Sequence, residues 1–290
     1  MEYKRYPNNF LELNDSLSGY KESKVVIIPV PYEKTTTFVR GTKKGPQAMI
    51  EASMAIQFYD EELQKDACNV GICTLYSLKA KEKPQLMIDS IYKEVKSRVE
   101  DNKFPIILGG EHSITQGCVK AFAEKYGNIT VLQLDAHTDL AEEWNGSRFN
   151  HACAAKRCFD ITKRIVQVGV RSAPIEEVEF AKKNGIGIFW AKDIAENEKW
   201  HDKAISRLSQ NVYITIDLDG FDPSFMPSVG NPEPGGLQYY PTLRFLKKVC
   251  RQRKVVGFDV VELCPNKNNI SPDFTAAKLI YKMIGYIFFK

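Results

Sequence analysis

Eight short runs of mostly apolar, often β-branched residues punctuate this chain: Val25–Val30, Val70–Thr74, Pro105–Leu108, Ile129–Leu134, Arg164–Val170, Gly187–Trp190, Val212–Ile216 and Val255–Val261. Several lack the polar alternation of a half-solvated strand. Such runs belong to strands buried on both faces, and only helices can supply that cover. The intervening segments have the required spacing. Gln85–Asp101 carries Leu86, Ile88, Ile91, Val95 and Val99 at helical intervals, and Thr115–Lys125 and Ile175–Asn184 are further helical segments. The alternation predicts an α/β fold of three layers, with a mostly parallel central sheet of about eight strands flanked by helices. No linker-like segment divides the chain, so residues 1–290 are expected to form a single domain. In such folds ligands bind beyond the carboxyl ends of the strands.

Composition narrows the class of partner. Forty basic residues stand against 36 acidic ones, giving a formal charge of +4, and the basic residues are scattered. That pattern argues against nucleic acid. No stretch has the length of a membrane span. The apolar run Met283–Phe289 is short and interrupted by Gly285, so a docked terminal helix or strand is expected. Met1–Phe10 is charged and polar, unlike a secretory leader. The seven cysteines lack zinc-site spacing and are read as reduced thiols of a cytoplasmic protein.

Four polar segments each follow a strand candidate. Gly109-Gly110-Glu111-His112-Ser113 follows Pro105–Leu108, and Asp135-Ala136-His137-Thr138-Asp139 follows Ile129–Leu134. Asp217-Leu218-Asp219-Gly220-Phe221-Asp222-Pro223 follows Val212–Ile216, and Glu262 closes Val255–Val261. All four should emerge on one edge of the sheet. In extended chain, residues two apart point to one side. Asp135, His137 and Asp139 then converge, as do Asp217 and Asp219, and His112 completes the group. Four clustered carboxylates repel one another unless cations neutralise them. Two divalent ions balance four negative charges. Hard oxygen ligands with some imidazole and no thiolate suit Mn2+ better than a structural zinc. Two ions about 3.5–4 Å apart can deprotonate a water held between them, which is hydrolytic chemistry.

These segments, in this order, resemble the three metal motifs of the ureohydrolase family of arginases and agmatinases. Pro31-Tyr32 with Gly41-Thr42 and Gly45-Pro46, the loop Pro232-Glu233-Pro234-Gly235-Gly236-Leu237, and Val260-Val261-Glu262 are similar to further family segments. The resemblance implies an arginase-like fold and a trimer or hexamer. It implies one Mn2+ on His112, Asp135, Asp139 and Asp217, and a second on Asp135, His137, Asp217 and Asp219. It also implies that Glu262 pairs with a guanidinium, Asp139 orients the attacking hydroxide and His151 relays a proton to the leaving amine. Two positions depart from the family pattern: Ile50 stands where Arg is frequent, and Asn231 where Thr is common.

Arginases resemble one another in carrying Asp-Val-Asp after Gly-x-Arg. Here Gly169-Val170-Arg171 is followed by Ser172-Ala173-Pro174, and Pro174 has no carboxylate to grip an α-amino group. Gly146-Ser147-Arg148-Phe149-Asn150-His151-Ala152 looks like the agmatinase version. The resemblance therefore implies cleavage of agmatine to urea and putrescine, a step of polyamine synthesis. Aminopropylagmatine, guanidinobutyrate, guanidine and, less well, arginine are alternative substrates. A carboxylate-bearing tail would want a basic residue near the mouth, such as Arg148. Glu142 and Glu143 are read as a solvated turn. A non-catalytic relative regulating a partner subunit would be expected to lose a ligand position, and none is lost. A deacetylase of related fold would use a single zinc and fewer carboxylates.

Overall fold

All eight runs become strands of one sheet in the computed structural model, which describes residues 8–289. The strands are β1 (Val25–Val30), β4 (Ile72–Thr74), β5 (Phe104–Gly109), β6 (Ile129–Leu134), β7 (Ile165–Val170), β8 (Gly187–Trp190), β9 (Asn211–Asp217) and β10 (Lys254–Val261). Their order is β4-β1-β5-β10-β9-β6-β7-β8, and every neighbouring pair is parallel. A two-stranded antiparallel hairpin, β2 (Tyr59–Asp60) with β3 (Lys65–Asp66), stands apart from the sheet. The sequence gives no sign of it, because its two-residue strands carry no apolar run. The run at Val70 also starts later than expected. Ala67–Val70 forms a 3-10 turn and Gly71 takes φ +76°, so the strand begins at Ile72.

Side chains alternate across the sheet into two cores. Ile27, Leu108, Ile214 and Val260 belong to one; Val26, Ile107, Tyr213 and Val261 belong to the other. Helices cover both faces. Pro84–Glu100 turns Ile88, Ile91, Val95 and Val99 inward as its spacing leads one to expect, but Met87, not Leu86, completes the buried stripe, and Leu86 is exposed. The expected terminal element is the helix Ser271–Phe288, which buries Leu279, Ile280, Met283 and Ile284. Each such side chain contributes about 1.5–3 kcal/mol when fully buried. Among the described residues no helix is long and apolar enough to cross a membrane. The cysteines are free thiols, all but Cys264 buried. Of the N-terminal stretch discussed above, residues 1–7 lie outside the described ones.

Asp273, in the first turn of that terminal helix, is raised to about 6 by burial and by the nearby Glu51. A carboxyl with a raised folded pKa favours folding while protonated. That contribution is lost as pH rises from about 4, where the unfolded group titrates, through about 6. Asp273→Asn is therefore expected to raise the melting temperature relative to wild type at pH 8 and to leave it near wild type below pH ~4. Parallel melting curves for the two proteins across that range check it.

For function, the topology matters most in its middle. The four strands that carry the polar segments, β5, β10, β9 and β6, are consecutive neighbours. Their registers are level at the carboxyl end: Val260 pairs with Leu108, Val261 with Asp217, and Ile216 with Leu134. Segments far apart in sequence thus leave the sheet side by side.

Candidate metal centre

Gly110 shows how tightly this edge is packed. A Cβ there would lie 1.9 Å from the Tyr32 carbonyl oxygen, so only glycine lets β5 pass the loop after β1. Gly220 plays the same part beneath Asp135, whose backbone nitrogen would lie 2.8 Å from an added Cβ. The first approach seats the loop after β1 on the end of β5, and the second seats the loop after β9 on the end of β6.

His112 is buried at its centre. Its Nδ1 lies 3.2 Å from Asp135 Oδ2, 3.1 Å from Asp139 Oδ2 and 3.2 Å from Asp217 Oδ2. Among the described residues no hydrogen bond satisfies that nitrogen. His137 Nδ1 lies 3.0 Å from Asp219 Oδ2 and 3.5 Å from Asp135 Oδ1. Asp135 therefore faces both imidazoles, one through each oxygen. Two groups, His112/Asp135/Asp139 and Asp135/His137/Asp219, each present ligand atoms within 4.8 Å of one another. A buried imidazole lone pair aimed into three carboxylate oxygens fits a divalent cation between them. The donor set, hard oxygen with two imidazoles, fits the same assignment.

The convergence expected from the sequence is present, but its local mechanism differs. The chain is extended only in places, at Asp217 and where His137 bridges Ser172. Asp217 closes β9 and caps the 3-10 turn Leu218–Gly220, accepting the Asp219 N–H at 2.8 Å. Asp135 accepts the His137 N–H at 2.6 Å, and Asp139 takes φ +50°. Carboxylates that bond their own backbone two residues on turn the chain tightly, so turns rather than pleat alternation gather the side chains. Positive φ in a non-glycine residue costs energy and persists only where the surroundings hold it.

Electrostatics match this crowding. Burial, then Asp219 and Asp135, push Asp217 well above the ordinary carboxylate range. Burial and Asp135 raise Asp219 as well. Burial disfavours a charged imidazole, yet Asp135, Asp139 and Asp217 outweigh it and raise His112. His137 follows the same pattern, held up by Asp219 and Asp135 against burial. The cluster calls for positive charge.

The other two expected residues line the same cavity of ≈ 220 Å³. Glu262 follows directly on β10 with φ +65°, and its Oε1 accepts the His112 N–H at 2.6 Å. Burial and the neighbouring Glu111 raise it well above its usual range. His151 opens the 3-10 turn His151–Cys153, with Asn150 capping it through Ala152 N–H. Its Nδ1 lies 3.3 Å from Thr35 Oγ1, and its backbone N–H donates to that oxygen at 3.0 Å. Pro174 and Asn231 line the cavity; Arg148 does not, being held by Glu142 at 2.5 Å. Glu142 is exposed and paired with Arg148, Lys156 and Arg157.

Sequence reasoning missed Glu111. Its carboxylate is fully buried and accepts from Lys34 N–H (2.5 Å), Thr35 N–H (2.6 Å), Thr35 Oγ1 (2.7 Å) and Ser113 Oγ (2.5 Å). It ties the β1 loop, and through Thr35 the His151 turn, to the end of β5. Its place between Gly110 and His112 was the one available signal. Glu111→Gln replaces an acceptor-only group with one that must donate, stranding buried N–H donors. The expected cost is on the order of 3 kcal/mol of stability, read by denaturant unfolding, with a lower turnover because His151 loses its anchor. Glu177 was also passed over. It accepts from Thr138 Oγ1 (2.5 Å) and Leu140 N–H (2.8 Å) and lines the cavity wall.

A level four-strand edge of a parallel sheet, carrying a buried cluster of carboxylates and imidazoles fit for paired cations, defines a class of α/β metal-site hydrolases. The sequence model of the Arginase family matches residues 23–285, and the chain belongs to that family. Within it, this is an agmatinase-type ureohydrolase, a hydrolase acting on amidine C–N bonds. An N(1)-aminopropylagmatine ureohydrolase of Synechocystis sp. is 40% identical over 97% of this chain and 94% of its own. An agmatinase of Pyrococcus horikoshii is 34% identical over 91% of this chain and 92% of its own. The crystal structure of the agmatine ureohydrolase of Thermoplasma volcanium superposes with a TM-score of 0.86, at 33% identity, over 94% of this chain and 92% of that one.

Proposed function

We propose that this chain binds two Mn2+ ions and hydrolyses the guanidinium group of agmatine or of its N(1)-aminopropyl derivative, releasing urea. His112, Asp135, Asp139 and Asp217 hold one ion; Asp135, His137, Asp217 and Asp219 hold the other. The observation that carries the reading is His112 Nδ1, buried, without a hydrogen bond, and 3.1–3.2 Å from three carboxylate oxygens. Bound ions of this kind acidify water enough to make a nucleophile at neutral pH.

The protein's own groups do the rest. Glu262 Oε1 is committed to the His112 N–H, while Oε2 lies on the side of Gly230, in the cavity wall. That second oxygen receives a guanidinium N–H in a charge-assisted bond, and the arriving cation keeps the raised carboxyl ionised. A guanidinium is a poor electrophile because its charge is delocalised, so holding it against the nucleophile is most of the task. Asp139 orients the attacking water and takes its proton. His151, steadied by Thr35, delivers a proton to the departing amine.

Pro174 in the cavity wall supplies no carboxylate for an α-amino group, which supports a decarboxylated tail over arginine. Agmatine is the reading of the loop motifs. The name borne by the 40%-identical relative favours the longer aminopropyl compound. Urea release by the Mn2+-loaded protein from agmatine, N(1)-aminopropylagmatine, arginine, guanidinobutyrate and guanidine separates them. Preference for either of the first two supports the proposal; preference for arginine or guanidinobutyrate overturns the tail argument. Assembly as a homotrimer or homohexamer belongs to the same proposal, with sedimentation as its check.

A further inference from the structure

Behind the ligand face of His112 lies a chain of buried polar groups. His112 Nε2 lies 2.9 Å from Thr215 Oγ1, and Thr215 Oγ1 donates to Asp259 Oδ1 at 2.6 Å. The other Asp259 oxygen accepts from Tyr213 OH, also at 2.6 Å. Tyr213 and Asp259 are fully buried, and Thr215 is nearly so. The sheet register builds this chain. Thr215 pairs with Asp259 across β9 and β10, and Tyr213 lies two residues before Thr215 on the same face. A buried carboxylate in mid-strand, far from solvent, is costly unless its bonds are used.

Hydrogen counting gives the chain a direction. Asp259 accepts from Thr215 through one oxygen and from Tyr213 through the other, and the Thr115 hydroxyl, 3.4 Å from Thr215 Oγ1, also reaches it; among the described residues only hydroxyl donors face this carboxylate. A threonine hydroxyl has one proton. With that proton on Asp259, Thr215 Oγ1 can only accept from His112 Nε2–H. A neutral imidazole with its proton on Nε2 carries its lone pair on Nδ1, the atom facing Asp135, Asp139 and Asp217. We infer that Thr215 and Asp259 are positioning residues that fix the ring orientation and Nε2–H tautomer of His112, and so set the affinity of the ion it binds. Partners of this kind orient a ligand histidine and raise its basicity. The inference rests on the two-ion reading of the site.

The test is Mn2+ binding to metal-stripped, full-length protein by equilibrium dialysis, comparing wild type with Thr215→Val, Thr215→Ser and Asp259→Asn. Valine keeps the shape and removes the hydroxyl; serine keeps the hydroxyl. Thr215→Val is expected to weaken one of the two ions by about 10–100-fold and leave the ion on the His137 side near its wild-type affinity. Thr215→Ser is expected to restore both. Asp259→Asn, if folded, should behave as Thr215→Val, because its amide must donate to one of the two hydroxyls. Saturating Mn2+ should return most of the turnover in Thr215→Val. A purely structural role would lower the melting temperature of the metal-free protein and weaken both ions together. That result, or a Thr215→Val protein that binds both ions as tightly as wild type, overturns the inference. Wild-type protein that takes up no ions overturns the two-ion reading itself, and this inference with it.

Discussion

Asp135→Ala is expected to reduce urea release to background and to leave the protein unable to retain either ion. The reason is position. Among the described residues Asp135 is the one carboxylate that faces both imidazoles, with Oδ2 toward His112 and Oδ1 toward His137. It also belongs to both groups of potential ligands. Removing a ligand from one ion alone, as in Asp219→Ala, should lower occupancy on the His137 side first. The metal-free proteins should show a reversed order of stability. Four carboxylates crowd this buried site, and burial with neighbouring charge already raises Asp217 and Asp219. Deleting one of them relieves repulsion that the two imidazoles, held up by these carboxylates, offset only in part. Metal-stripped Asp217→Asn is therefore expected to melt higher than metal-stripped wild type, while losing the rise that added Mn2+ gives the wild type. Metal content and melting curves with and without chelator read both effects. An Asp135→Ala variant that keeps two ions would sink the ligand assignment.

His151→Asn is expected to lower turnover by roughly 10²–10⁴-fold with both ions still bound. His151 lines the cavity and makes its hydrogen bonds to Thr35 rather than to a carboxylate of the cluster. Its loss therefore removes a proton carrier and spares the ligands. Asparagine can keep the turn, since the backbone N–H bond to Thr35 does not depend on the ring. Unchanged turnover would remove His151 from the chemistry. Loss of metal together with activity would instead make it part of the metal centre.

The sheet was legible because its strands are buried on both faces. Val25–Val30, Ile129–Leu134 and Val255–Val261 are nearly continuous apolar runs, a pattern with few other readings. The hairpin Tyr59–Asp66 was not legible, because no apolar run marks it and its turn is held by the buried Asp60 accepting the Glu62 and Leu63 N–H groups. At the site, the ligand types and the shared edge could be read from polar segments that follow strands. The way they converge could not. Asp135 and Asp217 fold the chain back on itself by accepting backbone N–H groups, a choice that depends on what their surroundings leave unpaired. The supporting residues were the least visible. Glu111 looks like a spacer between Gly110 and His112, and Asp259 like an isolated acid inside a strand. Their meaning comes from partners about 76 and 44 residues away, brought close by loop packing and sheet register.

The central claim is a pair of ions held by one cluster, and electron paramagnetic resonance during Mn2+ titration of the chelator-stripped protein tests it most directly. Two ions per chain are expected, close enough to share Asp135, with the isolated-Mn2+ signal giving way to a spin-coupled one as the second site fills. Urea release should rise with the coupled species. A single magnetically isolated Mn2+ per chain at saturation, with full urea release, would contradict the two-ion site.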